Sequence, residues 1–450
     1  MPGPDPRDAA GRDRGRGPPR LRRARLPRLV AHRRTARCGG PREHRRGESA
    51  PRHSSRSRRQ LLSPEGSTRR GTRLRRAHRR RARRSGGAPG RRARERRVKI
   101  AILFDGASAF AESPDQEIIG TVDAVSLSLT TEGNTVVRIP VHPDARWIDR
   151  LRRARADFVF NLCESIDGVA ALEPAVISVI ELLGLPYSGS SSWTTALCLR
   201  KHVVNAALER SGLPIPKFAV VRRGTAIPSV GFPAICKPAA EDASIGVEQR
   251  SVVRTSRELT ERVSSMLDRW DEVLVQKYVE GREVNVGIVG EAVLPIAEID
   301  FGRMPKGMWR IVTYRSKWED GSDEDVGSAP RCPARLPASI AAQLRKIAVT
   351  AWRIVGGSGY GRVDLRIDER GRPWILEVNA NPDFAPTAGL ARMAGVAGID
   401  YGALVRQICE LGLQRSREVS TTAERWALAV RLSGVAPETR EPDLFPAGEA

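Results

Sequence analysis

The chain has 450 residues and a net charge of +24, and this charge is concentrated in its first 97 residues. Residues 1–97 contain 34 arginines, no lysine and 7 acidic residues, whereas the remaining 353 residues carry 42 basic and 45 acidic ones. The body after residue 97 is therefore nearly neutral, so bulk charge excludes reading it as a basic nucleic-acid binder.

Residues 1–97 have the composition of a segment that does not fold alone. They contain no Phe, Trp, Tyr or Ile and a single valine, Val30, so they cannot bury enough apolar surface to offset chain entropy. We predict a disordered Arg-rich segment, with three interpretations open: a basic arm that binds nucleic acid or anionic surfaces, an organelle transit peptide, or upstream sequence translated from a start codon assigned too early. Arginine without lysine favours the last, because it is typical of a GC-rich reading frame.

Cysteine and histidine usage narrows the chemistry of the body. The six cysteines form no C-x-x-C pair, and after residue 97 the only histidines are His142 and His202. This predicts reduced thiols in a cytoplasmic protein and disfavours zinc clusters and histidine-dependent triads. The longest apolar stretch, residues 169–187, is interrupted by two glutamates and a proline, so we predict no membrane span.

Strand and helix patterns alternate along the first part of the body. A short apolar run at 98–104 predicts a buried strand, helical spacing follows at 117–132, strands follow at 135–139 and 158–162, and a helix at 169–183. Such alternation is typical of a parallel sheet with crossover helices. We predict an N-terminal α/β domain over residues 98–190.

The remaining body reads as two further units and a tail. Residues 191–281 predict a small central α+β subdomain, in which a helix at 193–212 precedes strands at 218–221, 234–237, 247–253 and 272–278 and a helix at 258–270. Residues 282–415 predict a longer antiparallel sheet with one helix at 340–355. From residue 416 to residue 450 the chain becomes polar and is expected to trail off.

One hairpin carries the clearest chemical signal. The segment GYGRVDLRIDERGRPWILEVN, residues 359–379, consists of two apolar strands around a polar turn, and a four-residue loop at 369–372 would pair Ile367 with Trp374 and Asp364 with Glu377. Because side chains alternate along a strand, Glu377 and Asn379 then share one face with Asp364. Two carboxylates and an amide oxygen suit Mg²⁺ or Mn²⁺, whereas the polar outer face of an ordinary hairpin is the alternative.

Two further segments carry weaker signals. In KPAAEDASIGV, residues 237–247, Lys237 ends a strand before a loop of small residues, which is an arrangement that can hold phosphate oxygens, although it is no Walker loop. In LVQKYVEGREVNVG, residues 274–287, a polar linker between two strands could line an adenine slot. For each segment alone, an ordinary turn is the favoured interpretation.

Taken together with LPYSGSSSWTTALCLRKHVV at 185–204 and TYRSKWEDG at 313–321, these segments resemble the ATP-grasp superfamily and, within it, the D-alanine–D-alanine ligases. The resemblance covers about residues 98–410. It implies a mixed α/β (α+β) ATP-grasp fold with the three units named above. It also implies an ATP-dependent carboxylate–amine ligase that forms an acyl phosphate and uses ATP with two Mg²⁺ or Mn²⁺ ions.

The resemblance assigns roles to residues that match the motifs of the family. Lys317 matches the lysine of a mobile loop that closes over the γ-phosphate, and Arg362 matches the arginine beside the acyl-phosphate oxyanion. The implied metal ligands are Asp364, Glu377 and Asn379. The implied ATP-binding residues are the phosphate-binding Lys201, Lys237 and Ser244, the adenine linker Gln276, Lys277, Tyr278 and Val279, and the ribose-binding Glu283.

The expected substrate pockets depart from the family pattern. Phe110 stands where the family has a glutamate that holds the first substrate's amino group, and Asp383 stands where it has an oxyanion-donating glycine. Cys163-Glu164 replaces a His-Gly pair, and Asp242-Ala-Ser replaces Gly-Ser-Ser. We therefore predict that ATP handling is retained while the amino-acid pockets are altered. The pocket candidates are Ser108, Phe110, Glu112, Glu164 and Asp383.

The resemblance also bears on partners. It implies small-molecule carboxylate and amine substrates, allows a homodimer, and leaves nucleic acid as a partner only through residues 1–97. Two alternatives stay open: a nucleotide-binding protein without ligase activity, and a ligase that acts on a peptide or protein terminus.

Overall fold

The computed structural model describes residues 97–106 and 116–432. The predicted disordered segment up to residue 96, the pocket candidates Ser108, Phe110 and Glu112, and residues 433–450 lie outside these ranges. Within the described ranges, no helix combines the length and the apolar character that crossing a membrane requires.

The first sheet is parallel and has the strand order β2-β1-β3. The strands are β1 (Lys99–Asp105), β2 (Thr135–Val141) and β3 (Phe158–Asn161), and the accompanying helices are α1 (Gln116–Thr131), α2 (Arg146–Ala154) and α3 (Glu173–Leu182). Apolar side chains of β1 are buried on both faces: Ile100 and Ile102 pack with α1, while Ala101 and Leu103 pack with α2 and α3. Burial on both faces explains the continuous apolar run, and the predicted strand–helix alternation is confirmed.

The second sheet is antiparallel, with the order β4-β7-β5-β6. Its strands are β4 (Phe218–Arg222), β5 (Ala234–Pro238), β6 (Val252–Val253) and β7 (Glu272–Lys277), and helix α6 (Ser256–Leu267) shares its core. Two helices precede it in the chain, α4 (Ser192–Leu199) and α5 (Lys201–Arg210), and buried apolar residues of both belong to a separate core.

Two predicted elements of this region are wrong in extent. The single helix expected at 193–212 is divided, because Arg200 leaves the helical conformation at φ −92° and ψ 71°, and the Lys201 amide then donates to the Ala239 carbonyl at 3.2 Å. The strand expected at 247–253 is reduced to β6, because residues 249–251 form a 3-10 turn. The break at Arg200 ties the start of α5 to the loop that follows β5.

The third sheet is antiparallel, with the order β11-β10-β8-β12-β13 and with β9 paired to β8. Its strands are β8 (Gly281–Val289), β9 (Ala292–Val293), β10 (Ala297–Asp300), β11 (Ala329–Arg331), β12 (Tyr360–Asp368) and β13 (Pro373–Asn379). A long helix, α9 (Ala338–Ile354), buries its apolar side against one face of this sheet. The predicted antiparallel sheet and its helix near 340–355 are confirmed, but the prediction of a single helix is wrong, because further helices lie within residues 282–415. The other face of the sheet is left for the candidate site.

The predicted register of the hairpin holds at one end and fails at the other. Ile367 pairs with Pro373, not with Trp374 as predicted, yet Asp364 does lie opposite Glu377. A bulge between these two points accounts for both results, because Leu376 is an extra residue on β13.

Four more helices complete the described part. They are α7 (Tyr314–Trp318), α8 (Asp323–Val326), α10 (Gly389–Val396) and α11 (Tyr401–Leu432). The sequence predicts that the chain trails off from residue 416, but its backbone stays helical to Leu432. Apolar residues near the start of α11, among them Leu404 and Ile408, pack into the core that α1 shares with β1. The unit boundaries at residues 190, 281 and 415 stay predictions.

Candidate functional site

Alternation along β12 sorts its side chains onto two faces. Val363, Leu365 and Ile367 pack into the core beneath α9. The intervening Arg362, Asp364 and Arg366 therefore project from the opposite face. This face is the floor of the candidate site.

The three predicted metal ligands share this floor. Asp364 lies directly opposite Glu377 on β13, and Asn379 follows two residues later on the same side. Asp364 accepts hydrogen bonds from Arg362, whose Nε and Nη2 lie 2.7 and 2.9 Å from its oxygens, and from Asn285 Nδ2 at 2.7 Å. The carboxylates and the amide are thus on one surface, with cationic side chains beside them.

Lys201, at the start of α5, is the buried cation of the site. Its Nζ lies 3.1 Å from Glu377 Oε2 and 2.5 Å from Asp242 Oδ1, and the side chain is 6% exposed. Burial alone would lower the pKa of Lys201, but the two carboxylates more than offset it and hold that pKa above its ordinary value. Burial alone would likewise raise the pKa of Glu377, but Lys201 and other cations hold it well below its usual range. Both groups are therefore charged.

Lys237 ends β5 as predicted and faces the same site. Burial lowers its pKa from the ordinary value, Glu377 opposes that shift and Lys201 adds to it. Lys201 and Lys237 thus place two cationic side chains beside Glu377. Such an arrangement suits a polyanion such as a phosphate chain.

The loop after β5 has an unusual backbone. Ala243 and Ser244 both adopt positive φ, at 53° and 60°, in the region that side-chain-bearing residues rarely occupy. Gly246 follows at φ 75°, where a Cβ would lie 2.7 Å from the Trp270 ring. Strain of this kind is concentrated at functional loops, where the surroundings hold the backbone in place.

A segment that carries Lys317 lies on this loop. Trp318 Nε1 donates to the Ala243 carbonyl at 3.2 Å, Ser244 Oγ donates to the Val312 carbonyl at 3.2 Å, and the Tyr314 amide donates to the Val247 carbonyl at 2.9 Å. We call residues 303–328, which contain α7 and α8, the lid segment. Lys317 is exposed on α7 and lies close enough to Glu377 to help lower the pKa of that carboxyl.

The predicted nucleotide residues follow one another from β7 into β8. Gln276 is buried on β7, and its Nε2 has no hydrogen-bond partner among the described residues. Lys277 ends β7 and contacts the Phe232 carbonyl, while Tyr278 is buried and its hydroxyl donates to the Arg310 carbonyl at 3.2 Å. The two remaining residues, Val279 and Glu283, both contact Arg366: its Nη1 donates to the Val279 carbonyl at 2.7 Å, and its Nη2 donates to Glu283 Oε2 at 2.8 Å.

Sequence reasoning missed Arg366 and Asn285. Arg366 follows Asp364 by two positions on β12, so strand alternation alone would have placed it on the floor. Asn285 lies opposite Asp364 on β8, and only the strand order of the folded sheet reveals this pairing.

The side of the candidate site that carries Glu164 and Asp383 is acidic. Glu164, just after β3, has an exposed side chain, yet the surrounding protein desolvates its carboxyl. This desolvation and the nearby Asp383 and Asp242 raise the pKa of Glu164 to about 8, against the opposing effect of Lys317 and Arg362. Asp383 is exposed, and its Oδ1 accepts from the Ala385 amide at 2.9 Å. The structure thus brings two of the five pocket candidates together.

A buried network supports the segment after β13. Asn381 Nδ2 donates to Glu173 Oε1 at 3.0 Å and to the Cys163 carbonyl at 3.1 Å, while the Tyr360 hydroxyl donates to Asn381 Oδ1 at 2.8 Å. Burial, with the nearby Asp242, holds the pKa of Glu173 well above its usual range despite the Asn381 hydrogen bond. Glu173 therefore fixes Asn381, two residues beyond Asn379.

Replacing Glu173 with Gln should remove a pH dependence of stability. Between the ordinary pKa of 4.5 and the raised folded-state pKa, the native protein binds one proton more than the unfolded chain, so its free energy of unfolding falls as pH rises. The slope is at most about 1.4 kcal/mol per pH unit. Gln keeps an acceptor for Asn381 without a proton to lose, so the stability of this variant relative to the parent should increase as pH rises above 4.5. Urea unfolding at several pH values measures this, and parallel curves would show that Glu173 is ionised in the folded protein.

The residues of the floor fit a hard divalent cation. Asp364, Glu377 and Asn379 offer two carboxylates and an amide oxygen, and the low pKa of Glu377 keeps it anionic. Within the described ranges no group of three or more His, Cys, Asp or Glu side chains is arranged to hold a metal ion. A site on this floor would therefore be completed by the amide and by ligand oxygens, as is usual for Mg²⁺.

Comparisons with known proteins agree with this architecture. A family profile described as "D-ala D-ala ligase C-terminus" matches residues 207–410. A D-alanine–D-alanine ligase of Citrifermentans bemidjiense is 30% identical over 316 residues, covering 70% of this chain and 96% of the relative. An uncharacterised protein of Sinorhizobium fredii is 31% identical over 262 residues, covering 57% of this chain and 75% of the relative.

The fold is shared with solved structures. The D-alanine–D-alanine ligase of Bacillus anthracis, in a crystal structure with ATP, superposes with a TM-score of 0.59 at 23% identity, covering 71% of this chain and 99% of that one. At this identity the likeness shows the ATP-grasp fold alone. Because it is 30% identical to the Citrifermentans bemidjiense ligase over 96% of that protein's length, the chain belongs to the D-alanine–D-alanine ligase family of ATP-grasp ligases.

Proposed function

We propose that the protein is an ATP- and Mg²⁺-dependent carboxylate–amine ligase that forms an acyl phosphate and has altered amino-acid pockets. The observation that carries this proposal is the shared face of β12 and β13, where Asp364 and Glu377 lie opposite each other beneath cationic side chains. A protein that only bound a nucleotide would have little use for this combination of carboxylates and cations.

Attack of a carboxylate on the γ-phosphate requires charge neutralisation more than proton transfer. Lys201 and Lys237 hold the phosphate oxygens, and Arg362 stabilises the oxyanion of the acyl phosphate. Asp364, Glu377 and Asn379 would hold Mg²⁺, which supplies further neutralisation of phosphate charge when bound. Arg362 is aligned for this role by its two hydrogen bonds to Asp364.

The lid segment keeps water from the acyl phosphate. Its hydrogen bonds to Ala243, Ser244 and Val247 hold it against the loop that follows β5. Lys317 then closes over the γ-phosphate, and exclusion of water favours attack by the amine over hydrolysis.

Glu164 is proposed to hold a substrate ammonium group, in place of the glutamate that Phe110 replaces. Below about pH 8 its carboxyl is protonated and cannot pair with a cation, so kcat/KM for the amine-bearing substrate should rise from pH 7 to pH 9. In a Glu164→Gln variant this rise should be absent. If the rise of kcat/KM with pH is unchanged in the variant, it reflects the titration of another group, such as the substrate amine itself.

The function is tested by phosphate release from ATP with Mg²⁺ and a panel of D- and L-amino acids, singly and in pairs. Release that requires an acid together with an amine supports the ligase. Strongest release with D-alanine would identify D-alanyl-D-alanine synthesis, whereas another pair would identify the altered substrates. Absence of release across amino acids and short peptides, with ATP still bound, would support the nucleotide-binding alternative.

A further inference from the structure

Arg366 is a buried cation that the proposed mechanism does not use. Its side chain is 3% exposed, and it projects from β12 on the same face as Asp364, in the direction of β8. A guanidinium group in such a place is costly unless its donors are satisfied in a fixed geometry. The partners of Arg366 therefore indicate what it is there to hold.

Those partners come from two segments to which the family resemblance assigns nucleotide binding. Nε and Nη2 donate to Glu283 Oε2 at 3.1 and 2.8 Å, and Nη1 donates to the Val279 carbonyl at 2.7 Å. The guanidinium carbon lies 4.8 Å from the centre of the Tyr278 ring. One side chain thus joins the linker after β7 to the carboxylate on β8.

The geometry leaves one carboxylate oxygen available. Glu283 and Arg366 are direct neighbours across β8 and β12, and both hydrogen bonds to the carboxylate end on Oε2. No hydrogen bond to Oε1 is present among the described residues of the chain. These two hydrogen bonds from the guanidinium group to Oε2 therefore fix the rotation of the carboxylate and leave Oε1 to face a ligand hydroxyl.

The same guanidinium group also contacts the lid segment. Its Nη2 donates to the Arg310 carbonyl, which accepts from the Tyr278 hydroxyl as well. Arg310 precedes α7, which carries Lys317. Arg366 therefore links the nucleotide segments to the segment that closes over the phosphates.

We propose that Arg366 is a positioning residue for the sugar of the nucleotide: it orients Glu283 so that Oε1 accepts from a ribose hydroxyl. This inference rests on the proposed function together with the ribose-binding role that the family resemblance implies for Glu283. A purely structural Arg366 would affect all nucleotides equally, whereas a positioning residue controls the preference for ribose over deoxyribose.

The test compares the binding of ADP, 2′-deoxy-ADP and 3′-deoxy-ADP to the full chain with Mg²⁺, by calorimetry. A hydroxyl bound to a carboxylate is worth about 1.5–3 kcal/mol, so the parent should bind ADP about 10- to 100-fold more tightly than at least one deoxy analogue. In Arg366→Gln this ratio should fall below about threefold. Arg366→Lys, which keeps the charge without the guanidinium group, should give an intermediate ratio, and the exposed Arg353→Gln should match the parent.

A Glu283→Gln variant separates the positioning role of Arg366 from the ribose contact of Glu283 itself. Loss of the ratio in both Glu283→Gln and Arg366→Gln, with no further loss in the double variant, supports the inference. Loss in Glu283→Gln with a parental ratio in both Arg366 variants overturns the inference but leaves the proposed ribose contact intact. A parental ratio in Glu283→Gln overturns the ribose assignment itself. If Arg366→Gln does not fold, the Arg366→Lys ratio decides between these outcomes.

Discussion

Glu377→Gln is expected to lower ATP turnover by about 10²- to 10³-fold or more. The change removes a negative charge that pairs with Lys201 at 3.1 Å and that would hold Mg²⁺. Lys201 keeps its second partner, Asp242 at 2.5 Å, so the folded structure should survive. Turnover is measured as substrate-dependent ADP release, and thermal unfolding checks the fold.

The matched control for this prediction is Glu369→Gln. Glu369 lies exposed in the turn of the same hairpin, so the variant makes the same chemical change on the same element, away from the floor. Parental activity is expected there. Retained turnover in Glu377→Gln, at saturating Mg²⁺, would mean that the floor of β12 and β13 is not the metal site.

Lys317→Gln is the second substitution with a large expected effect. Lys317 is exposed on α7, so its loss should leave stability unchanged while kcat falls by about 10²- to 10³-fold, the magnitude seen when one transition-state donor is removed. Because Lys201 and Lys237 still hold the phosphates, the affinity for ADP should change little. Steady-state kinetics and ADP binding measured on the same preparation separate the two effects.

Lys306→Gln provides the control for the lid. Lys306 is exposed on the lid segment but outside α7, so the charge of the segment changes equally in both variants. A similar loss of kcat in both would attribute the effect to the net charge of the lid. Full activity in Lys317→Gln would remove this lysine from the chemistry.

The grouping of side chains on the floor of the candidate site could be predicted from sequence because it depends on local pairing. Asp364, Glu377 and Asn379 belong to one hairpin, and strand alternation places them together. The prediction placed Ile367 opposite Trp374, which is wrong by one residue near the turn. It reached the right pairing at Glu377 only because the bulge at Leu376 restores the register. A bulge of this kind has no reliable sequence signal here, since Leu376 is an apolar strand residue like Ile375 and Val378.

The acidic side of the site could not be predicted as a group. Glu164 follows β3, Asp242 lies in the loop after β5, and Asp383 follows β13, so their approach depends on how three sheets pack. The pKa of about 8 for Glu164 results from this packing, because desolvation is the largest contribution and the two aspartates add to it. Likewise, an arginine in a strand suggests an exposed side chain, and only the fold shows that Arg366 is buried against Glu283.

The most direct test of the ligase chemistry follows an oxygen atom. The carboxylate substrate found in the amino-acid panel is labelled with ¹⁸O in its carboxyl group and incubated with ATP, Mg²⁺ and the amine. If the carboxylate attacks the γ-phosphate, one ¹⁸O atom should appear in each phosphate released, because the acyl–oxygen bond breaks when the amine attacks. Phosphate that carries no ¹⁸O during product formation would contradict an acyl-phosphate intermediate.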